Sequence, residues 1–277
     1  MNLRRSCLPS GWYPQTAQGI SRFLEKILLE SQGGANALAA VAPHAGWQYS
    51  GAIAAQAMLA LERDVETVVL IGGHLSGGSS PLIAGEDALE TPLGEAPLDR
   101  ELGAAVSQAL ECRLDPYADN SVEVLVPMAH YLFPRAKLLW LRFPAEKSAF
   151  EAGREIARIA ESSGRKLAVL GSTDLTHYGE SYGFNPQGEG EKALAWVREL
   201  NDARFIEAVK SGDPGAILRR AEEERCACSV GAVLGTLGFA LERGAGNAEL
   251  LAYGTSADQS PGEIPGSFVG YAAFCWR

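Results

Sequence analysis

Six short stretches of the chain are apolar almost without interruption: "ALAAVAP" (37–43), "TVVLIGG" (67–73), "AKLLWLRF" (136–143), "KLAVLGST" (166–173), "AELLAYGT" (248–255) and "SFVGYAAF" (267–274). Each is bounded by glycine, proline or polar residues, and none alternates cleanly. Runs of that length predict strands covered on both faces. Between them the apolar positions take a helix spacing. In "GISRFLEKILLE" (19–30) they fall at Ile20, Phe23, Leu24, Ile27 and Leu28, one stripe of a 3.6-residue period. The segments 98–110, 121–133, 148–162 and the stretch after Cys226 behave alike. Ser50 is placed to cap the helix "GAIAAQAMLAL". Asn120, three before Glu123, suits a capping box. "VGAVLGTLGFALE" is apolar all round and reads as a buried helix. Strands alternating with helices predict a layered α/β fold with helices on both faces of the sheet. Segment 74–97 is long and rich in Gly, Ser and Pro, as functional loops often are. The polar stretch "YGTSADQSPGE" (253–263) either lines a site or turns the chain.

The 277 residues are enough for one large α/β domain or two small ones. The net charge of −10 argues against nucleic acid and against an anionic membrane surface, since both require a basic face. The start, "MNLRRSCLPSGWYP", has two arginines but no apolar run behind them and does not read as a signal peptide. No stretch approaches the ~18 apolar residues of a membrane span. Five cysteines without framework spacing suggest reduced thiols and a cytoplasmic location.

The chemistry gathers around the histidines. Of the four in the chain, His44 ends "ALAAVAPH", His74 ends "TVVLIGGH", and His177 follows "KLAVLGSTDLTH". Each lies at or just past the carboxyl end of an expected strand, where open α/β sheets bind ligands. If those strands are parallel neighbours, the three imidazoles meet at one edge. His130 lies inside a helical pattern and reads as packing or surface. Gly72 and Gly73 allow a close backbone approach, to a ligand or to a packed neighbour. Asp174, three before His177, can fix that imidazole's tautomer and raise its basicity. Cys226 and Cys228, where a charged stretch meets an apolar helix, could supply one thiolate.

In order and spacing, "SGWYP", "PHAGWQYSG", "GGH", "TPLGEAPLD", "DNSVEVLVP", "GSTDLTHYG", "CACSVGAV" and "YGTSADQSPG…VGYAAF" resemble the Memo family, which includes the AmmeMemoRadiSam system protein B. The resemblance runs over nearly the whole chain. It implies a single domain over 1–277, a three-layer α/β/α sandwich with a central mixed sheet like that of the class III extradiol dioxygenases. It also implies a metal held by His44, His74 and Cys226, with His177 as a nearby acid/base and Asp174 beside it. Family members are linked to iron or copper and to oxygen chemistry, and eukaryotic members to phosphotyrosine peptides. This chain departs from the pattern in three places. Asn120 stands where the family has histidine in "EHS". "GGH" replaces "GP.H". "CACSVG" lacks the Gly and Pro that follow the family cysteine, which leaves Cys228 as the alternative thiolate.

Two imidazoles and a thiolate leave open positions on a metal, an arrangement like the facial triad of non-haem iron with sulfur in place of carboxylate. The expectation is therefore a metal-dependent oxidase or dioxygenase, using Fe(II) or else Cu, that acts on O₂ and a small-molecule substrate. His177 would carry the proton. The alternatives are a Zn-dependent hydrolase, or a non-catalytic peptide or small-anion binder. An acidic chain with few clustered basic residues is a poor anion trap. A homo-oligomer, or partner proteins of the AmmeMemoRadiSam system, would be the macromolecular contacts.

Overall fold

The computed structural model describes residues 2–30, 34, 36–260 and 262–277. In chain order the first half contains β1 (Leu3–Arg4), α1 (Ala17–Glu30), β2 (Ala39–Ala42), α2 (Ala52–Ala60), β3 (Thr67–Leu75), β4 (Leu82–Ile83), β5 (Ala88–Thr91), β6 (Gly94–Pro97), α3 (Arg100–Leu110), β7 (Arg113–Leu114), α4 (Asn120–Glu123) and α5 (Val126–Leu132). There follow β8 (Lys137–Pro144), α6 (Ser148–Ser163), β9 (Leu167–Ser172), β10 (His177–Gly179), α7 (Glu191–Trp196), α8 (Asp202–Ser211), α9 (Pro214–Glu224), α10 (Val230–Glu242), β11 (Glu249–Thr255) and β12 (Ser267–Trp276). All six expected strands form, and the architecture is the expected mixed α/β sandwich.

The large sheet runs β10-β12-β2-β9-β3-β8-β4-β7, with β11 also paired to β12. Its centre is parallel: β2 pairs with β9, β9 with β3, and β3 with β8. The unbroken apolar runs have a direct cause here. Val69, Ile71, Leu139, Leu141 and Val169 face one core, with α3, α6 and α8–α10. Val68, Leu70, Leu138, Trp140, Ala168 and Leu170 face the other, with α1, α2 and α5. Because both faces are dry, neither set of alternate positions needs to be polar. Helix α10, apolar all round, is buried along nearly its whole length. A methyl added at Gly153 of α6 would overlap the Gly235 carbonyl of α10, so these two helices pack backbone against backbone.

Several local expectations are corrected. Ser50 does not cap α2. It lies inside a wide helical turn, Trp47–Gly51, that runs straight into α2, and its hydroxyl donates to Ala45 O at 3.1 Å. Asn120 and Glu123 do not form a capping box. Asp119 is the cap, accepting from Ser121 N at 3.0 Å. Glu123 instead turns to the N-terminal segment and accepts from Cys7 N and Leu8 N, both at 2.8 Å, and from Tyr13 Oη at 3.2 Å. The helix expected over 121–133 is two helices, α4 and α5. Pro127 stands in the first turn of the second, where its missing N–H has no helical partner to lose. Half of 74–97 is strand, with β5 and β6 pairing beside β1 in a small sheet. Helices α7, α8 and α9 were not anticipated from the pattern. All five cysteines are free. Among the described residues no helix is long and apolar enough to cross a membrane.

Candidate metal centre

Because β2, β9 and β3 are parallel neighbours, their carboxyl ends share one edge of the sheet. His44 follows β2 by two residues, His74 is the penultimate residue of β3, and Asp174 and His177 follow β9. The loop after α9 brings Cys228 to the same edge. One ligand atom from each of His44, His74 and Cys228 lies within 4.8 Å of the others. The two imidazoles meet edge to face, with centroids 4.9 Å apart.

His44 is buried and fixed at several atoms. Its backbone N donates to Asp174 Oδ1 at 2.7 Å, and its Nδ1 pairs with Ser172 Oγ at 2.7 Å. That leaves Nε2, which faces Cys228 Sγ at 3.2 Å. His74 takes a left-handed backbone, φ 58°, a conformation that costs energy in most non-glycine residues and is often found at functional sites. It sits where the β3–β8 register slips between Gly72 and Leu75. Such a bulge re-aims a side chain at the end of a strand. Its Nδ1 pairs with Asp119 Oδ2 at 3.2 Å, and Arg142 Nη2 holds the same oxygen at 2.9 Å. Arg142 also donates from Nε to Gly73 O at 3.0 Å and faces Asp115 Oδ1 at 3.4 Å. The paired glycines serve packing. A Cβ at Gly72 would overlap Ser121 of α4, and one at Gly73 would overlap Ser229, next to Cys228. Their bare backbones thus let the Asp119 and Cys228 segments close on β3.

The structure corrects the thiolate. Cys226 does not join the group. Its sulfur is buried and donates to Arg220 O, in the last turns of α9, at 3.1 Å. Arg225, in a left-handed turn at φ 52°, ends that helix and turns the chain. Cys228 is drawn to the site instead. Its N donates to Asp174 O at 3.2 Å, and its sulfur accepts from Asp174 N at 3.3 Å. Burial raises the Cys226 thiol's pKa, and nearby Asp202 and Glu224 raise it further. Burial acts the same way on Cys228, but the charge on His44 and hydrogen bonds from His44 and His74 outweigh it and hold the thiol well below its ordinary value. Burial would lower the pKa of His44, yet Cys228 and Asp174 raise it. Against burial, Asp119 and Cys228 push His74 up to about 10. The lowered thiol and the raised imidazoles together favour negative charge on sulfur with positive charge beside it, a balance that a metal ion in place of the protons would keep.

His177 and Asp174 lie beside this group. His177 Nε2 is 3.7 Å from Asp174 Oδ2, and His44 Nε2 is 3.9 Å from the same oxygen. The His177 ring stacks on Tyr182 at 4.9 Å. A cavity of about 670 Å³ opens here, with Asp174, His177 and Asn120 on its inner wall. Asp174 and Asn120 both touch His44, the latter donating to His44 O at 3.4 Å. His130 stays away from the group and pairs with Thr91 Oγ1 at 3.0 Å.

Asp119, Arg142 and Ser172 escaped the sequence reading. A signal existed for two of them. Asp119 opens an Asp-Asn-Ser stretch, a helix-start pattern. Arg142 is a charge inside an apolar strand, which demands a buried partner. Ser172 carried no such mark.

Comparison with known proteins adds an independent line. A family described as "Memo-like protein" matches residues 4–275. The chain is 33% identical over 280 residues to a MEMO1 family protein of Methanococcoides burtonii, with 98% of each covered. It is 31% identical over 282 residues to the MEMO1 family protein Mbar_A1422 of Methanosarcina barkeri, again with 98% of each covered. Among solved structures, the uncharacterized protein JW3007 from Escherichia coli K12 is similar in fold, with TM-score 0.50 and 15% identity, covering 86% of this chain and 99% of that one. The match from Arg4 to Cys275, together with relatives of this identity over nearly full length, shows that the chain belongs to the Memo family.

Proposed function

We propose that this protein holds a redox-active metal ion at His44, His74 and Cys228, with Fe(II) as the first candidate and copper the second, and that it activates O₂ or oxidises a small substrate there. One observation carries the reading: three donor atoms from three distant segments lie within 4.8 Å of one another. The donors also fit a cation chemically. Ser172 occupies Nδ1 of His44 and Asp119 occupies Nδ1 of His74, so each ring keeps one nitrogen for ligation. Cys228 has the lowered pKa that a thiolate ligand needs. When bound, such a metal supplies a Lewis acid and an electron-transfer centre that soft sulfur tunes toward its oxidised state.

The chain's own residues do the rest. Asp174 orients His177 through Nε2, and the His177 imidazole, in the cavity wall, is the group that holds or releases a proton. Asn120 donates a hydrogen bond but cannot titrate near neutral pH, so proton traffic falls to His177. Asp119 and Asp174 are both committed to histidines. That weighs against a zinc-dependent hydrolase, which would want a free carboxylate base.

The test is metal stoichiometry and oxygen consumption of anaerobically prepared protein. A single iron or copper per chain is expected, retained in Cys226→Ser and lost in Cys228→Ser, with oxygen uptake following the metal. Zinc at full occupancy without oxygen uptake, or an unchanged metal content in Cys228→Ser, overturns the proposal.

A further inference from the structure

Two loops meet at the candidate metal centre. The one after β9 carries Asp174 and His177, and the one after α9 carries Cys228. They touch at the site itself, where Cys228 N donates to Asp174 O at 3.2 Å and Ser229 N donates to Thr173 Oγ1 at 3.1 Å. A second junction lies deeper. Asn201 is buried, and its side-chain amide donates twice: to Thr176 Oγ1 at 2.9 Å and to Glu224 O, on the last residue of α9, at 3.0 Å. One amide thus grips both loops, next to His177 in the first and at the root of the second. Buried Asp202 secures the first grip. Its Oδ1 accepts from Thr176 N at 3.1 Å and from Thr176 Oγ1, and its Oδ2 accepts from Tyr253 Oη at 2.8 Å. The Thr176 hydroxyl therefore accepts from Asn201 and donates to Asp202, using both of its roles. A Cβ at Gly270 of β12 would overlap Asp202 Oδ2, so the strand is bare where the carboxylate passes.

Asn201 closes a wide helical turn, Val197–Asn201, between α7 and α8. Such turns insert a residue, re-aim the side chains beside them and are frequent at functional sites. The other wide turn among the described residues, Trp47–Gly51, follows His44. A leucine would fill the same space without a polar group to desolvate. What the amide adds is direction, because a satisfied buried network fixes spacings that apolar packing leaves free to slide. We infer that Asn201 is a positioning residue that, through Thr176 and Glu224, holds the His177 loop and the Cys228 loop at one spacing, so that the proton-carrying imidazole stays in register with the thiolate donor. The inference rests on the proposed metal site for what that spacing serves.

The experiment reads both loops in the full chain carrying Asn201→Leu. The first reading is the His177 titration, followed by NMR in metal-free protein. Burial lowers this imidazole's pKa and the charge of His44 opposes its proton, but Asp174 and Cys228 hold it above its ordinary value; Tyr182 stacks on the ring. In the variant it should fall by at least about 0.5 as the pairing with Asp174 loosens. The second reading is Co(II) alone as a probe, in a chelator competition. Its affinity should weaken by about tenfold or more, and its sulfur-to-metal absorption should fade. Thr176→Val breaks the same bridge at its other end. It should lower the His177 pKa too, with a double variant no worse than the poorer single, and it carries the test if Asn201→Leu does not fold. Tyr253→Phe removes a donor to Asp202 outside the bridge; it should lower the melting temperature and leave both readings as in the parent. Unchanged readings in Asn201→Leu, or equal losses in Tyr253→Phe, overturn the inference. If the parent chain takes up no Co(II), the metal reading fails by itself, and the His177 titration alone decides the role of Asn201.

Discussion

Removing Arg142 should show how far the metal donors depend on a charge buried behind them. Its side chain is 5% exposed, between Asp119 at 8% and Asp115 at 0%. In Arg142→Met the apolar stem is kept, and three contacts go: Nε to Gly73 O at 3.0 Å, Nη2 to Asp119 at 2.9 Å and Nη1 to Asp115 at 3.4 Å. Breaking a buried ion pair on one side costs roughly 3–5 kcal/mol, because the abandoned carboxylate keeps its desolvation penalty. Both carboxylates retain other partners here. Asp115 still accepts from Trp140 Nε1 at 2.9 Å and faces Arg4 at 3.7 Å, while Asp119 keeps His74 and Ser121. The lower end, about 3 kcal/mol, is therefore expected. At roughly 2–4 °C per kcal/mol for a chain of this size, the melting temperature should fall by about 6–12 °C. Asp119→Asn removes the charge left stranded, so the double variant should be less damaged than the sum of the singles by ~1 kcal/mol or more. Scanning calorimetry of the four proteins measures both quantities. A drop of under ~2 °C in Arg142→Met, or strict additivity in the double variant, would refute the reasoning.

Three further expectations follow from particular contacts. Ser172→Ala frees His44 Nδ1 and should weaken metal binding by about 10–100-fold in a chelator competition while the fold survives; unchanged affinity would show that the serine does not orient the ring. Burial pushes Asp202 from its ordinary 3.8 up to about 6, although Thr176 and Tyr253 donate to it. Its folded pKa is raised, so the folded state keeps a proton that the unfolded chain releases, and this group's contribution to stability falls as pH rises from about 4 to about 6, by up to roughly 3 kcal/mol. Asp202→Asn should flatten that part of the pH profile in urea unfolding, and parallel profiles would contradict the assignment. Gly153→Ala should cost about 1–3 kcal/mol by forcing α6 from α10, whereas a neutral effect in thermal melts would mean that the helices can part freely.

Much of this molecule was legible in its sequence, for identifiable reasons. The six apolar runs were readable because strands buried on both faces have no polar alternation to mask them. The meeting of His44, His74 and His177 at one edge followed from strand ends and parallel order. What failed was local and competitive. Ser50 and Asn120 both had credible capping chemistry, but a wide turn already led into α2 and Asp119 stood one residue earlier. Cys226 and Cys228 are chemically identical in sequence. Only the left-handed turn at Arg225 and the docking of Cys228 on Asp174 separate them, and both depend on tertiary contacts. The helices between 191 and 224 are amphipathic but packed with charge, so their stripes are harder to see than that of α10.

The Glu123 carboxylate works as a clasp. It grips the amides of Cys7 and Leu8 and the phenol of Tyr13, while Ser10, Gly11 and Trp12, between those anchors, form part of the cavity wall. A chain clipped after Trp12 would keep all three candidate metal donors yet lose a side of the chamber next to them. The candidate cation donors and this side of the neighbouring cavity thus belong to different stretches of polypeptide, and a protease nick near the amino end would open the second while sparing the first.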